Sequence, residues 1–531
     1  MKQALFIIVT ALITLTSFSQ KWQHTFGVSY LDEQSMRLIE HYDKGYLITG
    51  SYTGGYDDHH GWLIKTDING EVLWDKPIGV NPDQVLIDKT VYDGQGNLYI
   101  FGVIIQEIEG NWPLVIKLNA CGEKQWCRLL NITGYEYGFF NDAILLDNGD
   151  LLGVANMPDE EQYDMIYLFR ISPDGDYIWR KSFASVENHP LFEMRLGSRI
   201  QKFGDIYIIS GYVYSPHPDY PTISSIRPMF IGIDTLFNEQ WVLEFGMIDN
   251  MKGKALTSIP INDSLFMGVG RYRYIGATGQ MMDAWDMFYN DKGEQVGQQV
   301  LTTDQFGPEV NESTFYEIER VNDSVFMATI GYIYGEEDET PMGEVVFDTA
   351  GNVYNYSIRD EIYGSQNLVK TFDGKYAIAT STLYDNLTWD IVFYKINENL
   401  EHDTVYPGIY NYDSLCPDLP IQSGVIDLTG CDIITSLEEI PSLGDYNNDI
   451  IDFKAYPNPA NEYIMFEMTK QNNTSVDIYL FDNQGKLIKS NTLPACTQDY
   501  VINLKGMKPG IYIIKASMDG RDIGSKKFSV R

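Results

Sequence analysis

The chain has 531 residues, enough for several domains, and its 74 acidic and 38 basic residues give a net charge of −36. A surface this acidic repels polyanions, which argues against nucleic acid as a partner. The charge is uneven, because residues 454–531 hold 11 Lys and Arg against 7 Asp and Glu, a net of +4 that leaves −40 for the rest. Two regions with different surface chemistry are therefore expected.

The N-terminal segment has the pattern of a secretory signal peptide. Lys2 precedes an apolar run from Ala4 to Leu15, and small residues stand before Gln20. The pattern predicts a signal peptide over residues 1–19, with cleavage after Ser19. The alternative is a membrane anchor, for which the run is short, and no other apolar stretch is long enough for a transmembrane segment.

A short hairpin pattern recurs along the chain. In its first copy an apolar run is followed by Asp67, by Gly70 and, four residues later, by Trp74. The Asp and Gly suit a tight turn between two strands. Further copies carry Trp126, Trp179 and Trp241, and weaker copies span residues 287–296 and 345–354.

A second repeated element sets the number of units. A turn followed by alternating aromatic and aliphatic residues, ending at a small residue, occurs seven times, with turn residues at positions 45, 96, 149, 204, 263, 323 and 374. Steps of about 50 to 60 residues suit four short strands each. The sequence predicts an all-β fold: a seven-bladed β-propeller over residues 20–406, followed by a small Ig-like β-sandwich.

The ends of the predicted propeller suggest how it closes. Trp22–Gly27 repeats the spacing of Trp74–Gly79, so the chain begins on the last strand of a repeat. Such a strand completes the final blade and removes an exposed sheet edge. Glu401–Tyr406 also has the pattern of an outer strand, so one of the two is superfluous.

The hairpin pattern resembles the tryptophan-docking turn of quinoprotein-type propellers. The resemblance implies that Trp74, Trp126, Trp179 and Trp241 pack against the neighbouring blade as structural staples. No set of residues for the quinone cofactor is visible, and we expect no cofactor.

Residues 407–452 are polar and are predicted to be a linker. Five cysteines in an exported chain favour disulfides over metal sites. A Cys416–Cys431 bridge is predicted to close a loop in the linker. Cys121 and Cys127 flank one hairpin turn and form a less favourable pair, which leaves Cys496 over.

Residues 453–531 have period-two strands separated by turns, as in a small sandwich. It contains the motif residues Pro457, Asn458, Pro459, Gly485, Gly510, Tyr512, Lys526 and Lys527. With these residues the segment resembles the type A C-terminal sorting domain of the type IX secretion system of Bacteroidota, and the alternative is an ordinary adhesive sandwich. The resemblance implies recognition by the outer-membrane translocon, cleavage by a sortase-like peptidase, and a secreted or cell-surface location reached through the periplasm.

Candidate chemistry in the propeller is sparse. Asp57, Asp58, His59 and His60 could bind a transition metal, although a solvated loop is the simpler interpretation. Acidic runs at residues 159–161 and 336–339 occupy equivalent loops, and either give one face a negative field or only aid solubility. No G-x-S-x-G elbow, P-loop or dinucleotide fingerprint is present.

Two functions remain open from the sequence. The first is a binding or scaffold module for a glycan, a peptide or a surface protein. The second is a hydrolase acting on glycans or peptides at the propeller axis. Convergent carboxylates with raised pKa values at the axis would favour the hydrolase, whereas small and apolar residues would favour binding.

Overall fold

The computed structural model describes most of residues 21–434 and 453–531. Gaps in the first range are residues 29, 54–58, 80–83, 107–109, 131–137, 159–163, 184–193, 217–223, 246–250, 275–281, 302–304, 307–309, 335–340, 360, 385–387 and 409–422. Gaps in the second are residues 469–474, 483–485, 495–498 and 519–520. The predicted signal peptide lies outside these residues. The chain divides into two compact units, Met1–Ser442 and Leu443–Arg531.

The first unit contains seven sheets, which we number as blades 1 to 7. Blades 1 to 6 each contain four antiparallel strands that follow one another in the chain, and blade 7 contains three such strands and the first strand of the chain. After β1 (Gln23–Phe26), blade 1 is β2 (Asp32–Glu40), β3 (Tyr46–Thr53), β4 (His59–Thr66) and β5 (Val72–Ile78). Blade 2 is β6 (Gln84–Tyr92), β7 (Leu98–Gln106), β8 (Gly110–Leu118) and β9 (Lys124–Leu130), and blade 3 is β10 (Phe139–Leu145), β11 (Leu151–Pro158), β12 (Asp164–Ile171) and β13 (Tyr177–Phe183).

The remaining blades repeat the same order. Blade 4 is β14 (Met194–Phe203), β15 (Ile206–Pro216), β16 (Ser224–Asp234) and β17 (Glu239–Glu244), and blade 5 is β18 (Met251–Asn262), β19 (Leu265–Tyr274), β20 (Met282–Asn290) and β21 (Gln295–Leu301). Blade 6 is β22 (Val310–Arg320), β23 (Val325–Tyr334), β24 (Met342–Asp348) and β25 (Val353–Tyr356), and blade 7 holds β26 (Ile362–Lys370), β27 (Tyr376–Tyr384) and β28 (Thr388–Ile396). The predicted seven-bladed propeller is confirmed.

The N-terminal strand closes the ring. β1 pairs antiparallel with β28, with Gln23 opposite Tyr394, and so supplies the fourth strand of blade 7. Blade 7 in turn packs against β2 of blade 1. The residues around His402, which were the other candidate for this position, form no strand; they make an isolated bridge to Ile396 and a hydrogen bond from the Asp403 N–H to the Lys395 carbonyl. The closure leaves blade 7 without an open edge beside β28.

Each innermost strand carries a register shift at an equivalent position, and this explains the small residues of the second strands. The shift is a β-bulge that pushes a carbonyl of the inner strand toward its neighbour. A Cβ on Gly102 would lie 2.1 Å from the carbonyl oxygen of Leu86, and a Cβ on Gly211 would lie 2.0 Å from that of Leu196. Only a residue without a side chain fits at these two positions.

Part of the segment predicted as a linker is bound to the propeller. β29 (Asp432–Ile434) pairs in parallel with β9 and adds a fifth strand to blade 2. Ile426 is buried, its N–H donates to the Pro77 carbonyl at 2.8 Å, and its own carbonyl accepts from Gly79. We call residues 423–434 the strap.

The strap also changes the disulfide assignment. Cys431 is bonded to Cys127, 304 residues away, with a Cα–Cα distance of 4.8 Å. The predicted Cys416–Cys431 bridge is therefore wrong, as is a Cys121–Cys127 pair, because the strap places Asp432 opposite Arg128 and so brings Cys431 beside β9. Cys121 is also disulfide-bonded, whereas Cys416 and Cys496 lie outside the described residues.

The second unit is a β-sandwich of two antiparallel sheets. Its strands are β30 (Phe453–Tyr456), β31 (Tyr463–Met468), β32 (Val476–Asp482), β33 (Leu487–Leu493), β34 (Asp499–Asn503), β35 (Gly510–Met518) and β36 (Arg521–Val530). One sheet has the order β30-β31-β34 and the other β33-β32-β35-β36, and both bury apolar residues in one core. The predicted Ig-like sandwich is confirmed. No α-helix occurs in the described part of either unit.

Candidate functional site

The β-bulges place one residue of every blade at an equivalent position on the inner strands. We call these seven residues the axial ring: Arg37, Lys89, Asp142, Arg199, Thr257, Glu317 and Asn367. Inner strands surround the central channel of a propeller. The ring is therefore the place where all seven blades present side chains to one site.

Contacts within the axial ring run between blades. Lys89 Nζ of blade 2 lies 2.7 Å from Asp142 Oδ1 of blade 3. Asp142 Oδ2 accepts a hydrogen bond from the Ile200 N–H of blade 4 at 3.0 Å. Arg199 of blade 4 forms an ion pair with Glu317 of blade 6. Both carboxylates are thus held by cations or backbone donors of other blades.

Arg37 joins the first and last blades at the ring. Its Nη1 donates to Asn367 Oδ1 at 3.3 Å, across the point where the ring closes. Although surrounded by blades, Lys89, Arg199 and Glu317 keep 23, 15 and 14 % of their side chains exposed. A ligand or solvent can therefore reach the ring.

The charges of the ring act on one another's pKa values. Burial lowers the pKa of Arg37, Arg199 lowers it further, and Asp142, Glu317 and Asp88 oppose both. Burial alone would raise the pKa of Asp142, yet Lys89, Arg37 and Arg199 together bring it below its ordinary value. Asp142 is consequently a fixed anion rather than a proton donor.

One carboxyl beside the ring behaves differently. Asp88 is the bulge residue that precedes Lys89, and burial raises its pKa to about 7, opposed only in part by Arg37. Near neutral pH it is therefore partly protonated.

Several donors of the ring lack acceptors. Among the described residues, Arg37 Nε, Asn367 Nδ2 and Thr257 Oγ1 are buried without a hydrogen-bond partner. Asn367 and Thr257 are 3 and 0 % exposed. Buried polar groups are normally satisfied, so these atoms point to a missing acceptor.

The residues predicted as a weak metal site are only partly described. His59 and His60 begin β4, and the ring of His60 lies 5.3 Å from that of Tyr52 on the adjacent strand. Asp57 and Asp58 lie outside the described residues, as do both predicted acidic loops, residues 159–161 and 336–339. Within the described part of the chain, no three His, Cys, Asp or Glu residues are grouped as a metal would require.

The four hairpin tryptophans lie against the turn of the next blade. The indole of Trp74 covers Gly122, and that of Trp126 covers Gly175 while its Nε1 donates to the Pro173 carbonyl at 3.1 Å. Trp179 packs on Phe237, which has φ 63° in place of the usual Gly, with ring centroids 5.0 Å apart. Trp241 of blade 4 lies on Gly293 of blade 5. Trp22, which precedes β1 of blade 7, lies in the same way on Gly70 of blade 1.

A groove of about 750 Å³ between blades 4 and 5 is a competing location. Its polar lining is committed to the fold, because Arg320 Nη2 donates to the carbonyls of Pro260 and Ile261. Asp291 in the same lining accepts from Trp241 through its carbonyl. Two of its polar groups, the Arg320 guanidinium and the Asp291 carbonyl, therefore serve the packing of neighbouring strands.

In the sandwich, motif residues distant in sequence come together. Asn458 Oδ1 accepts from the Ser529 N–H at 3.1 Å, and its Nδ2 donates to the Lys527 carbonyl at 3.3 Å. Ala460 forms a parallel bridge with Val530. The peptide bonds preceding Pro457 and Pro459 are cis.

The other described motif residues lie on the last two strands, β35 and β36. Tyr512 Oη donates to the Lys508 carbonyl at 2.9 Å, and Gly510 pairs with Val530. The side chain of Lys526 lies over the ring of Phe453 at 5.8 Å. Gly485 lies outside the described residues. Thus the Asn458 segment lies beside β36, the edge strand of its sheet, which pairs with β35.

Residues 454–531 match the family model described as "Secretion system C-terminal sorting domain". This segment is a type IX sorting domain. The sorting domain interacts with the type IX secretion machinery and directs the chain through the periplasm to the cell surface or the medium. In the described part of the chain, no helix has the length and apolar character needed to cross a membrane.

Comparisons of the whole chain are less informative. No curated protein matches it. Among solved structures, a protein of unknown function from Bacteroides caccae is 10 % identical, with coverage of 58 % of this chain and 93 % of that one and a TM-score of 0.34. Drosophila Semaphorin 2a is 9 % identical, with coverage of 96 and 98 % and a TM-score of 0.39. Such similarities carry no inference about function.

Proposed function

We propose that the propeller is a binding module, exported by its sorting domain, that holds its ligand at the axial ring. The observation that carries the proposal is the set of buried donors without acceptors at Arg37, Asn367 and Thr257. Buried donors without partners also occur elsewhere in the described part of the propeller, as at Trp285 and Thr90, so the proposal rests on the grouping of three of them at one position of the fold. The ligand is a glycan, a peptide or a segment of a surface protein.

The state of the ring carboxylates supports binding rather than hydrolysis. Glycoside hydrolysis by the common mechanism uses two carboxyl groups, one of which must act as a proton donor. Asp142 has a lowered pKa, and Glu317 is paired with Arg199. Asp142 is therefore held ionised, and Glu317 is engaged in an ion pair.

The test is a screen of the full-length exported protein against immobilised oligosaccharides and peptides, neutral and charged. Each hit is repeated with Asn367→Leu, which removes an uncharged donor of the ring, and with Asn355→Leu as a control on the outer strand β25. We expect loss of binding with the first variant alone. Hits that survive Asn367→Leu would place the ligand elsewhere and contradict the proposal.

One observation keeps a hydrolase as a second candidate. Asp88, with a pKa of about 7, could serve as a general acid near neutral pH. If so, Asp88→Asn would abolish turnover of a bound oligosaccharide or peptide without weakening its binding. Unchanged substrate after long incubation with the wild-type protein would eliminate this candidate.

We also propose the division of the chain into a signal peptide at residues 1–19, a propeller at 20–406, a connecting segment at 407–452 and the sorting domain at 453–531. The exposed Asn458 edge, where Lys527 is also exposed, is accessible to the translocon. Removal of the sorting domain by a sortase-like peptidase then fits a cut in the connecting segment. Mass spectrometry of the exported protein tests this, because an intact C-terminus at Arg531 would contradict it.

A further inference from the structure

We propose that the axial ring binds an oxyanion, a carboxylate or sulfate group of the ligand. This inference rests on the function proposed above and adds the chemistry that the site selects. It follows from the balance of charge, the balance of hydrogen-bonding groups and the direction in which one buried amide is held.

The ring is positive within a strongly negative protein. Arg37, Lys89 and Arg199 supply three cations against the two carboxylates of Asp142 and Glu317, which leaves one positive charge while the adjoining Asp88 is protonated. The chain as a whole has a net charge of −36. Because the outer surface repels anions, a cationic ring in the interior is unexplained by solubility alone.

Acceptors of the ring are already occupied, whereas donors remain. Asp142 forms an ion pair with Lys89 and accepts a hydrogen bond from the Ile200 N–H. Glu317 forms an ion pair with Arg199. Two of the ring atoms left without partners among the described residues, Arg37 Nε and Asn367 Nδ2, can only donate, whereas Thr257 Oγ1 can donate or accept. Asp142 Oδ1 also forms no hydrogen bond with a described residue, but it lies in the ion pair with Lys89. A ligand that completes Arg37 and Asn367 must therefore bring acceptors.

Asn367 shows where the acceptor belongs. Because Arg37 Nη1 has no acceptor function, the amide oxygen of Asn367 must face it, at 3.3 Å. The amide nitrogen then points away from this bond with no acceptor of its own, in a side chain that is only 3 % exposed. An anion beside Arg37 would accept hydrogen bonds from both the guanidinium and this amide nitrogen. Such charge-assisted hydrogen bonds suit an oxyanion.

The experiment compares matched sugars on the full-length protein by isothermal titration calorimetry. The probes are glucuronate, glucose 6-sulfate and glucose, and the variants are Arg37→Gln and the conservative Arg37→Lys. Lys292→Gln, an exposed cation on the turn after β20, is the control for loss of one positive charge. We expect glucuronate or glucose 6-sulfate to bind at least tenfold more tightly than glucose, and Arg37→Gln to remove this preference.

The outcomes separate the two proposals. A preference for one of the two anions identifies its source, carboxylate or sulfate, and partial retention by Arg37→Lys supports a role for the charge. Equal binding of glucose and glucuronate, with both weakened by Asn367→Leu, would overturn the oxyanion inference and leave the binding function intact. Anion binding unaffected by Arg37→Gln would overturn the inference as well.

A measurement on the wild-type protein covers the case in which Arg37→Gln does not fold. Inorganic sulfate should displace bound glucuronate competitively, whereas the same ionic strength from sodium chloride should displace it far less. Absence of binding by every probe, or equal displacement by the two salts, would contradict a specific oxyanion site.

Discussion

Gly175 shows how one backbone position joins two blades. It has φ 87°, in the left-handed region, and its hypothetical Cβ would lie 2.8 Å from the indole of Trp126. Gly374 has φ 72° but open space around it. The two glycines therefore share the conformational requirement and differ in the contact.

We expect Gly175→Ala to destabilise the propeller more than Gly374→Ala. Both variants pay roughly 1–2 kcal/mol for the left-handed conformation, and only the first forces the Trp126 indole to move, at a further cost of roughly 1–3 kcal/mol. Thermal unfolding of the two variants gives the difference. Equal losses of stability in the two variants would mean that the Trp126 indole moves without cost and does not hold the two blades together.

A second residue-scale feature is the buried carboxyl of Asp286 on β20. Burial raises its pKa to about 8, and backbone hydrogen bonds from Asp286 itself and from Gln299 oppose the rise only in part. An unfolded Asp titrates near pH 3.9. The native state therefore retains a proton that the unfolded state releases, so its contribution to stability is complete below about pH 4 and is lost as the pH rises to about 8.

Asp286→Asn should remove this pH dependence, because the amide never ionises. Relative to wild type, the variant should gain stability between pH 5 and pH 7 by on the order of 2 kcal/mol, from the limit of about 1.4 kcal/mol per pH unit. Denaturant unfolding at several pH values measures it. Asp291→Asn, at an exposed turn, should leave the profile unchanged, and a flat difference for Asp286→Asn would show that the carboxyl is not buried as described.

At the scale of elements, the strap is the part of the fold that depends on distant sequence. Ile426 is 5 % exposed in the core shared by blades 1 and 2, whereas Ile433 is 50 % exposed on the same segment. Lys124 Nζ also donates to the carbonyls of Asp427 and Thr429, at 2.6 and 2.9 Å. The strap thus combines apolar, polar and covalent attachment.

We expect Ile426→Ala to loosen the strap and Ile433→Ala to leave it in place. Loss of a buried Ile side chain costs roughly 2–5 kcal/mol, and the exposed one far less. Hydrogen exchange of the strap, before and after reduction of the Cys127–Cys431 bridge, measures the effect. Rapid hydrogen exchange of the strap should require both Ile426→Ala and reduction of the disulfide. Unchanged protection of the strap in the reduced Ile426→Ala variant would mean that strand pairing with β9 is sufficient to hold it.

The sequence pattern predicted the elements of the propeller well, for a physical reason. The blades repeat similar turns and a buried second strand, and β1 with its flanking residues repeats the Trp-to-Gly spacing of β5. Repetition lets weak local preferences support one another across seven copies. The outcome for Cys431 was missed because its partner, Cys127, is fixed by the tertiary course of the strap rather than by local spacing.

The axial ring was also missed, although a trace of it is present in the sequence. Each ring residue stands 12 or 13 residues before the small residue within the next strand, as Lys89 does before Gly102 in β7. The seven ring residues differ in charge and size, so no residue type repeats. What repeats is the bulge, which the small residue reveals only once the pairing is known.

At the scale of the whole molecule, the sorting domain has a core of its own. Phe453, Phe466 and Phe528 are buried within a cluster formed only by residues of the second unit. A unit with its own core is expected to fold without the other. The domain should therefore act as a sorting signal that folds and functions independently of the propeller.

Deletion of residues 453–531 should leave the propeller folded, disulfide-bonded and retained in the periplasm. Its ligand binding should be unchanged, because the axial ring lies wholly within the first unit. Cell fractionation and a thermal melt of the truncated protein test both parts. Appearance of the truncated chain at the cell surface would contradict the sorting role, and loss of binding by a folded propeller would place part of the site in the sandwich.

The pairing of Gln23 with Tyr394 also fixes an order of events during export. A chain that enters the periplasm from its N-terminus delivers β1 first and β28 some 370 residues later, as their positions require. Until then β1 has no partner, and blades 1 to 6 form an open arc whose first and last sheets are uncovered. Unpaired strands of this kind invite association with other chains. The interval between the arrival of the two strands is thus the period in which this protein would benefit most from a periplasmic chaperone.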